Sequence, residues 1–308
     1  MPRATDAGAP TRVHDAVARA AAVLAAAGIP EAKREAADML AALRDAPRFW
    51  AATHADEPLG AAERAALEAA AARRAAGAPF AYAVGRAAFR HLTLLVDERV
   101  LIPRVETEQL VQLVLDEMAA TPGGTAIDLG TGSGAIALSL ATEGTFDRVI
   151  ATDVSTAALE VARTNAARLL PTPHSPPSAE RRAPSAEPLE FVCGTWLSPV
   201  AQERARVVVS NPPYIAYDEA PALPPSVRDW EPAVALFAAD SGMRGIACII
   251  REAPAVVEAG GLLALEIDAR RASLAAELAL ADGRWRDVSV RLDLAGRERF
   301  LMARRSGR

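Results

Sequence analysis

Apolar residues in the first part of the chain recur at helical spacing. Val13, Val17 and Leu24 share one face of an Ala- and Arg-rich stretch that Gly28-Ile29-Pro30 stops. The same pattern predicts a second helix over 31–45 and a third over 61–76, closed by Gly77 and Pro79. Over 87–102 the helical period gives way to short runs, Ala88-Phe89, then 92–96 and 100–102, which predict a hairpin-like connector. Beyond it, apolar runs at 126–129, 149–152, 191–192, 207–210 and 262–267 alternate with helical stretches. Runs of that kind are strands buried on both faces, so a mostly parallel sheet covered by helices follows. Two more runs, 288–292 and 299–303, flank Leu294-Ala295-Gly296 and predict a closing pair of strands. The expected organisation is a helical domain over 1–85, a connector over 86–104 and an α/β domain over 105–308.

Composition narrows the partners. A net charge of −5 over 308 residues, with Lys33 the only lysine, gives no general pull toward nucleic acid. Cys193 and Cys248 lie in apolar runs without the spacing of a disulfide framework or a zinc site, so both are expected in the core and no metal is expected. No run approaches the roughly 18 apolar residues of a spanning helix. The Ala-rich stretch 16–27 imitates a signal peptide only weakly, because Asp15 precedes it and Arg19 interrupts it, so a cytoplasmic protein is the simpler expectation. Residues 171–188, PTPHSPPSAERRAPSAEP, have little to bury and are expected to form a flexible loop with His174 solvated.

Three motifs carry the chemistry. The segment AIDLGTGSGAIALSL sets Gly130, Thr131, Gly132, Ser133 and Gly134 between a strand and an apolar helix, a turn where backbone approaches a ligand closely and a helix start offers free N–H groups. About twenty residues on, Asp153 ends the next strand, where a carboxylate accepts hydrogen bonds from ribose hydroxyls. Its alternative role is a helix N-cap before Ser155-Thr156. The third motif is VVSNPPYI, expected at the carboxyl edge of the fourth strand of the sheet. Two prolines stiffen this turn. The Asn211 side-chain oxygen and the Pro212 carbonyl can then accept both hydrogens of a planar amide or aromatic amine and aim its nitrogen at an electrophilic methyl group, while Tyr214 packs on the planar group. Such an edge has no use in hydride transfer, and GTGSG lacks the G-x-G-x-x-G spacing of a nicotinamide dinucleotide site.

With these motifs in place the chain resembles the release factor glutamine methyltransferases, a family of class I S-adenosylmethionine-dependent enzymes with a Rossmann-like sheet. The resemblance also covers GAPFAYAVG, VLIPRVETE, EPAVALFAADSG and DLAGRERFLMARR. It implies methylation of the N5 amide nitrogen of the glutamine in the Gly-Gly-Gln motif of peptide chain release factors, with S-adenosylmethionine as donor. By the same resemblance Gly130 to Gly134 hold the methionine end, Asp153 the ribose, and Trp196 lies against the adenosine. Asn211 touches donor and substrate, Pro212, Pro213 and Tyr214 complete the glutamine pocket, and the helical domain recognises the protein partner. Arg104 and Glu106 either help to close the donor site or serve the start of a helix. Asn-Pro-Pro-Tyr is shared with methyltransferases of DNA adenine and of ribosomal RNA, and a ribosomal-protein glutamine is a further alternative. A catalytically silent binding module on the same fold is another. PRVETE resembles the release-factor branch. The chain departs from the family at Thr195, where an Asp is usual, at Ile267-Asp268, and at Val105 in place of a proline.

Overall fold

The computed structural model describes residues 11–170 and 189–307. The expectation for 171–188, His174 included, lies outside the described residues. The chain divides into two compact units, one of residues 1–86 with 224–230 and the other of 87–223 with 231–308.

The first unit is helical. It contains α1 (Val13–Ala26), α2 (Ala32–Leu43), α3 (Trp50–Thr53), α4 (Ala61–Ala75) and α5 (Phe80–Val84). Helix α1 stops where the sequence predicts: the N–H groups of Gly28 and Ile29 donate to the carbonyls of Ala25 and Leu24, closing its last turn. The inward faces of the long helices supply Val13, Leu24, Met39, Leu40 and Leu67, all fully buried in one cluster. Many remaining core positions are alanines, which let the helices pack closely and cost no side-chain entropy. The short helices α3 and α5 have no periodic signature of their own and depend on this packing.

The second unit opens with a two-stranded sheet, β1 (Arg86–Phe89) and β2 (Leu92–Leu95), followed by α6 (Val105–Met118). Then come β3 (Thr125–Leu129), α7 (Ala135–Glu143), β4 (Arg148–Asp153), α8 (Thr156–Leu169), β5 (Leu189–Cys193) and β6 (Ala205–Ser210). Short helices α9 (Pro225–Arg228), which belongs to the first unit, and α10 (Ala233–Leu236) precede α11 (Arg244–Glu252). The chain closes with β7 (Val257–Glu266), α12 (Ala272–Asp282), β8 (Trp285–Leu292) and β9 (Glu298–Arg305). Seven strands form one sheet in the order β5-β4-β3-β6-β7-β9-β8. The pairs among β3 to β7 are parallel, and β9 runs antiparallel to both β7 and β8. The predicted α/β Rossmann-like sheet with an antiparallel end is therefore present.

The winding of the sheet reverses between β3 and β6, where Leu129 and Ser210 lie side by side at the carboxyl ends. Open α/β sheets bind ligands at such a switch point. Both sequence motifs follow directly, the glycine turn from Leu129 and Asn-Pro-Pro-Tyr from Ser210.

Two expectations are corrected. Residues 100–102 form no strand: Val100 is buried, but the Ile102 N–H donates to the Glu231 carboxylate at 3.2 Å instead of to a neighbouring strand. The cysteines are not core residues, since Cys193 is exposed and Cys248 only half-buried. Cys193 ends β5, which is the edge of the sheet, and Cys248 lies beside Glu252 one turn on along α11, with Sγ to Oε1 at 3.0 Å. Apolar neighbours in sequence do not bury a side chain at a strand end or on an outward helix face.

Candidate active site

A cleft of about 800 Å³, open mouth included, lies along the carboxyl edge of the sheet in the second unit. Gly130, Gly132, Asp153, Trp196, Asn211 and Pro213 line it, with Thr195 and Val234 among their neighbours.

The glycine turn makes room more than it donates. The N–H groups of Gly130 and Thr131 donate to the Thr152 carbonyl, that of Gly132 to Asp153, and that of Gly134 to the Thr131 carbonyl. Ala137, in the first turn of α7, gives its N–H to Asp128. Of the N–H groups at the start of α7, those of Gly134 and Ala137 are thus committed within the protein. What remains is space: Gly130 and Gly132 have φ of 72° and 56°, and a Cβ on either would meet nothing within 4 Å. A side chain there would project into the open cleft and strain the backbone as well.

Behind the turn, Asp128 is fully buried at the end of β3. One oxygen accepts from the Thr131 hydroxyl at 2.6 Å and from Ala137, while the other has no partner among the described residues. Burial pushes its carboxyl up to about 7, with the Thr131 and Ala137 bonds acting the other way.

Asp153 ends β4. Its two oxygens accept from the N–H of Ser155 at 2.8 Å and from that of Gly132 at 2.9 Å. A carboxylate offers about four acceptor positions, so capacity remains for a ribose hydroxyl. Burial raises its pKa, and the N–H bonds to Ser155 and Gly132 oppose that rise. The N-cap of α8 is Ser155, whose hydroxyl accepts from the Ala158 N–H. Asp153 is thereby left to the cleft.

Trp196 has a left-handed backbone, φ 47°, rare for a bulky residue and costly by about 1–3 kcal/mol. Its ring lies over Gly245 of α11: a Cβ there would come within 2.9 Å of the ring and 3.5 Å of the Pro212 Cβ. Gly245 therefore lets the indole and the first proline of Asn-Pro-Pro-Tyr close on the same helix.

The Asn-Pro-Pro-Tyr turn is fixed at both ends. The Ser210 hydroxyl donates to the Leu129 carbonyl at 2.6 Å, and Ile215 forms a bridge with Phe237 through the Leu236 carbonyl and the Ala238 N–H. Between these anchors, Asn211 Nδ2 donates to Thr107 Oγ1 at 3.0 Å. Thr107 Oγ1 donates in turn to Glu266 Oε2 at 2.7 Å, and the Tyr214 hydroxyl donates to Glu266 Oε1 at 3.3 Å. Neither Asn211 Oδ1 nor the Pro212 carbonyl is taken by a donor among the described residues. Two acceptors of successive residues on a stiff turn, the first of them lining the cleft, are thus uncommitted.

Glu266 ends β7 and is almost fully buried, which pushes its carboxyl up to about 7. The Thr107 bond, the charge of Arg299 and the Tyr214 bond oppose that rise, while Glu106 adds to it. Tyr214 is itself held above the ordinary phenol range by burial first and by Glu266 second.

The segment PRVETE explains why this turn is rigid. Arg104, at the N-cap of α6, pairs with buried Glu231 at 2.5 Å. Glu106 pairs with Arg297 at 3.0 Å, Thr107 joins Asn211 to Glu266, and Glu108 accepts the Arg90 N–H at 3.0 Å. One helical turn thereby holds the β1–β2 turn, the Glu231 segment, the end of β7 and the turn before β9.

Of the residues expected at the site, Gly130, Gly132, Asp153, Trp196, Asn211 and Pro213 come together around the cleft. Thr131, Ser133, Gly134, Pro212 and Tyr214 stand behind that lining. Thr131 is committed to Asp128, and the Ser133 carbonyl accepts from Asn165 at 2.9 Å. Sequence reasoning missed Thr107, Gly245, Asp128 and Asn165. Asp268 also finds a role: with Glu219 it pairs with Arg271, which is buried at the start of α12.

Comparison with known proteins shows the family. The model of the PrmC N-terminal domain matches residues 15–85, and that of the methyltransferase small domain matches residues 106–222. A release factor glutamine methyltransferase of Cereibacter sphaeroides is 41% identical over 293 residues, 95% of this chain and 98% of that protein. The chain belongs to the release factor glutamine methyltransferase family. Another member, from Deinococcus radiodurans, is 35% identical over 96% of this chain and 99% of its own length. The fold of the family extends further. The hMettl16 catalytic domain, solved with the MAT2A 3'UTR hairpin 1, has a TM-score of 0.54 at 16% identity and covers 79% of this chain and 81% of that one. As a class I member the chain is an S-adenosylmethionine-dependent methyltransferase. No helix among the described residues is long and apolar enough to cross a membrane.

Proposed function

We propose that this enzyme methylates the N5 amide nitrogen of the glutamine in the Gly-Gly-Gln motif of peptide chain release factors. The observation that carries the reading is the pair of uncommitted acceptors, Asn211 Oδ1 and the Pro212 carbonyl, beside a cleft with a ribose-type carboxylate. A primary amide donates two hydrogen bonds, and its nitrogen pair is drawn into the carbonyl π-system. Accepting both hydrogens holds the amide plane still, so that one face of the nitrogen meets the methyl group.

When bound, S-adenosylmethionine supplies a methyl group from a sulfonium sulfur that leaves as a neutral thioether, and the methylated amide nitrogen gives up one of its two protons to water. The chain's own residues do the rest. Gly130 and Gly132 give the donor room, Asp153 accepts from its ribose, and Trp196 offers a flat apolar face. Asn211 and Pro212 orient the amide, Pro213 walls the cleft, and Tyr214 stiffens the turn from behind through Glu266. The helical unit recognises the release factor, and a release-factor substrate makes the cytoplasm the site of action.

Purified enzyme with methyl-labelled donor is offered a release factor, its Gln→Ala variant at the Gly-Gly-Gln motif, DNA and RNA. Label is expected in the release factor alone. Label in the Gln→Ala variant or in nucleic acid, with none in the intact release factor, overturns the reading.

A further inference from the structure

Asn211 can serve as an acceptor only if its carboxamide oxygen, and not its NH2 group, faces the substrate. The two ends are nearly equal in shape, so packing alone does not choose between them. The hydrogen count of the side chains behind it does. Thr107 Oγ1 stands between two partners, Glu266 Oε2 at 2.7 Å and the Asn211 side chain at 3.0 Å, and it has one hydrogen to give. An ionised Glu266 can only accept. The Thr107 hydrogen then goes to Glu266, Thr107 can only accept from Asn211, and the atom facing it must be the NH2 group. The oxygen is left for the substrate. A second donor, the Tyr214 hydroxyl, occupies the other Glu266 oxygen and holds the carboxylate in register with the turn.

We propose that Thr107 and Glu266 are positioning residues for the methyl transfer: a one-way chain of donors from Asn211 through Thr107 to Glu266 keeps the Asn211 oxygen turned toward the substrate amide. The inference rests on the glutamine-amide reading for its effect on rate, but the orientation of Asn211 is a property of the unliganded protein.

The chain has a direction only while Glu266 is charged. A protonated Glu266 can donate to Thr107, whose hydrogen is then free to go to the Asn211 oxygen, and the carboxamide turns over. The groups that face Glu266 are Thr107 and Glu106 from α6, Tyr214 from the turn and Arg299 from β9. Arg299 favours the charged form, burial and Glu106 favour the neutral one, and the balance lies at about 7. Turnover should therefore rise with pH through the neutral range.

Three variants test this. Thr107→Val removes the hydroxyl at nearly constant shape and should lower kcat by about tenfold to thirtyfold. Affinity for S-adenosylhomocysteine and KM for the release factor should stay within about threefold. Thr107→Ser, which restores the hydroxyl, should recover most of kcat. Glu266→Gln should lose the rise of kcat between about pH 6 and 8. A substrate-independent readout is the Asn211 side-chain NH2 in nitrogen-15 spectra, assigned by its loss in Asn211→Asp. Its hydrogens should exchange slowly in the wild type and at least about tenfold faster in Thr107→Val. Unchanged exchange and unchanged kcat in Thr107→Val overturn the proposal, as does a pH rise that survives in Glu266→Gln. If the wild type labels no release factor, the substrate reading fails alone, and the exchange measurement still decides the orientation.

Discussion

On the glycine-turn side of the cleft, the bond that ties Gly132 to Asp153 joins residues 21 positions apart. On the Asn-Pro-Pro-Tyr side, Asn211 and Thr107 are 104 positions apart, and Thr107 and Glu266 are 159 apart. The first side is built from backbone and one strand-helix-strand neighbourhood. The second is built from side chains that meet only when the sheet has assembled. A local site tolerates distant change, whereas an assembled one transmits it.

Substitutions can break this contrast, and the largest effect is expected at Asn211. Asn211→Ala removes an acceptor from the assembled side and should slow methyl transfer about tenfold to hundredfold or more, with a smaller loss of S-adenosylhomocysteine affinity. Steady-state kinetics with calorimetric donor binding checks both halves. Asp153→Ala acts on the local side and should reverse the pattern. Donor affinity falls by about tenfold to thirtyfold through loss of charged hydrogen bonds, while kcat at saturating donor changes less.

A smaller effect concerns the buried carboxyl of Asp128. Asp128 has a folded pKa of about 7 against 3.8 in an unpaired carboxyl, so the native chain holds a proton that the unfolded chain has released. Its contribution is fully present below the unfolded pKa and is lost as pH rises toward 7. The donor-free wild type should therefore lose stability between about pH 4 and 8 more steeply than Asp128→Asn does, as read from urea unfolding at each pH. The smallest effect concerns Val105, exposed at the first position of α6. Proline suits that position, and Arg104 before it is already extended, with ψ 151°. Val105→Pro should stabilise the protein by about 0.4–1 kcal/mol with kcat unchanged, measured by the unfolding midpoint.

The same contrast governs what could be read from the chain. Buried parallel strands such as β3 and β6 are continuous apolar runs, and the glycine turn and Asp153 lie at fixed distances from their ends. These features are local and were legible. Edge positions misled, because Cys193 has apolar neighbours in sequence yet ends the outermost strand. Residues 100–102 look like a strand but give an N–H to Glu231, more than a hundred positions away. Gly245, Thr107 and Asn165 carry no pattern that marks them. Gly245 is defined by the Trp196 ring and Pro212 across from it, and Asn165 by its bonds to Leu95 and Ser133. PRVETE could be matched to a family, but its reason became visible only when Arg104, Glu106, Thr107 and Glu108 were each seen to hold a different segment.

That hub has a consequence for modularity. Because α6 begins with four side chains that each hold a separate part of the fold, the acceptor turn is not a transplantable part. A chimera that takes residues 210–215 from a relative inherits the motif without its scaffold, and the exchangeable unit is discontinuous: Asn211 with Thr107 and Glu266, and with them Arg104 with Glu231 and Glu106 with Arg297. Variation among relatives at any one of these positions should accordingly be matched at its partner.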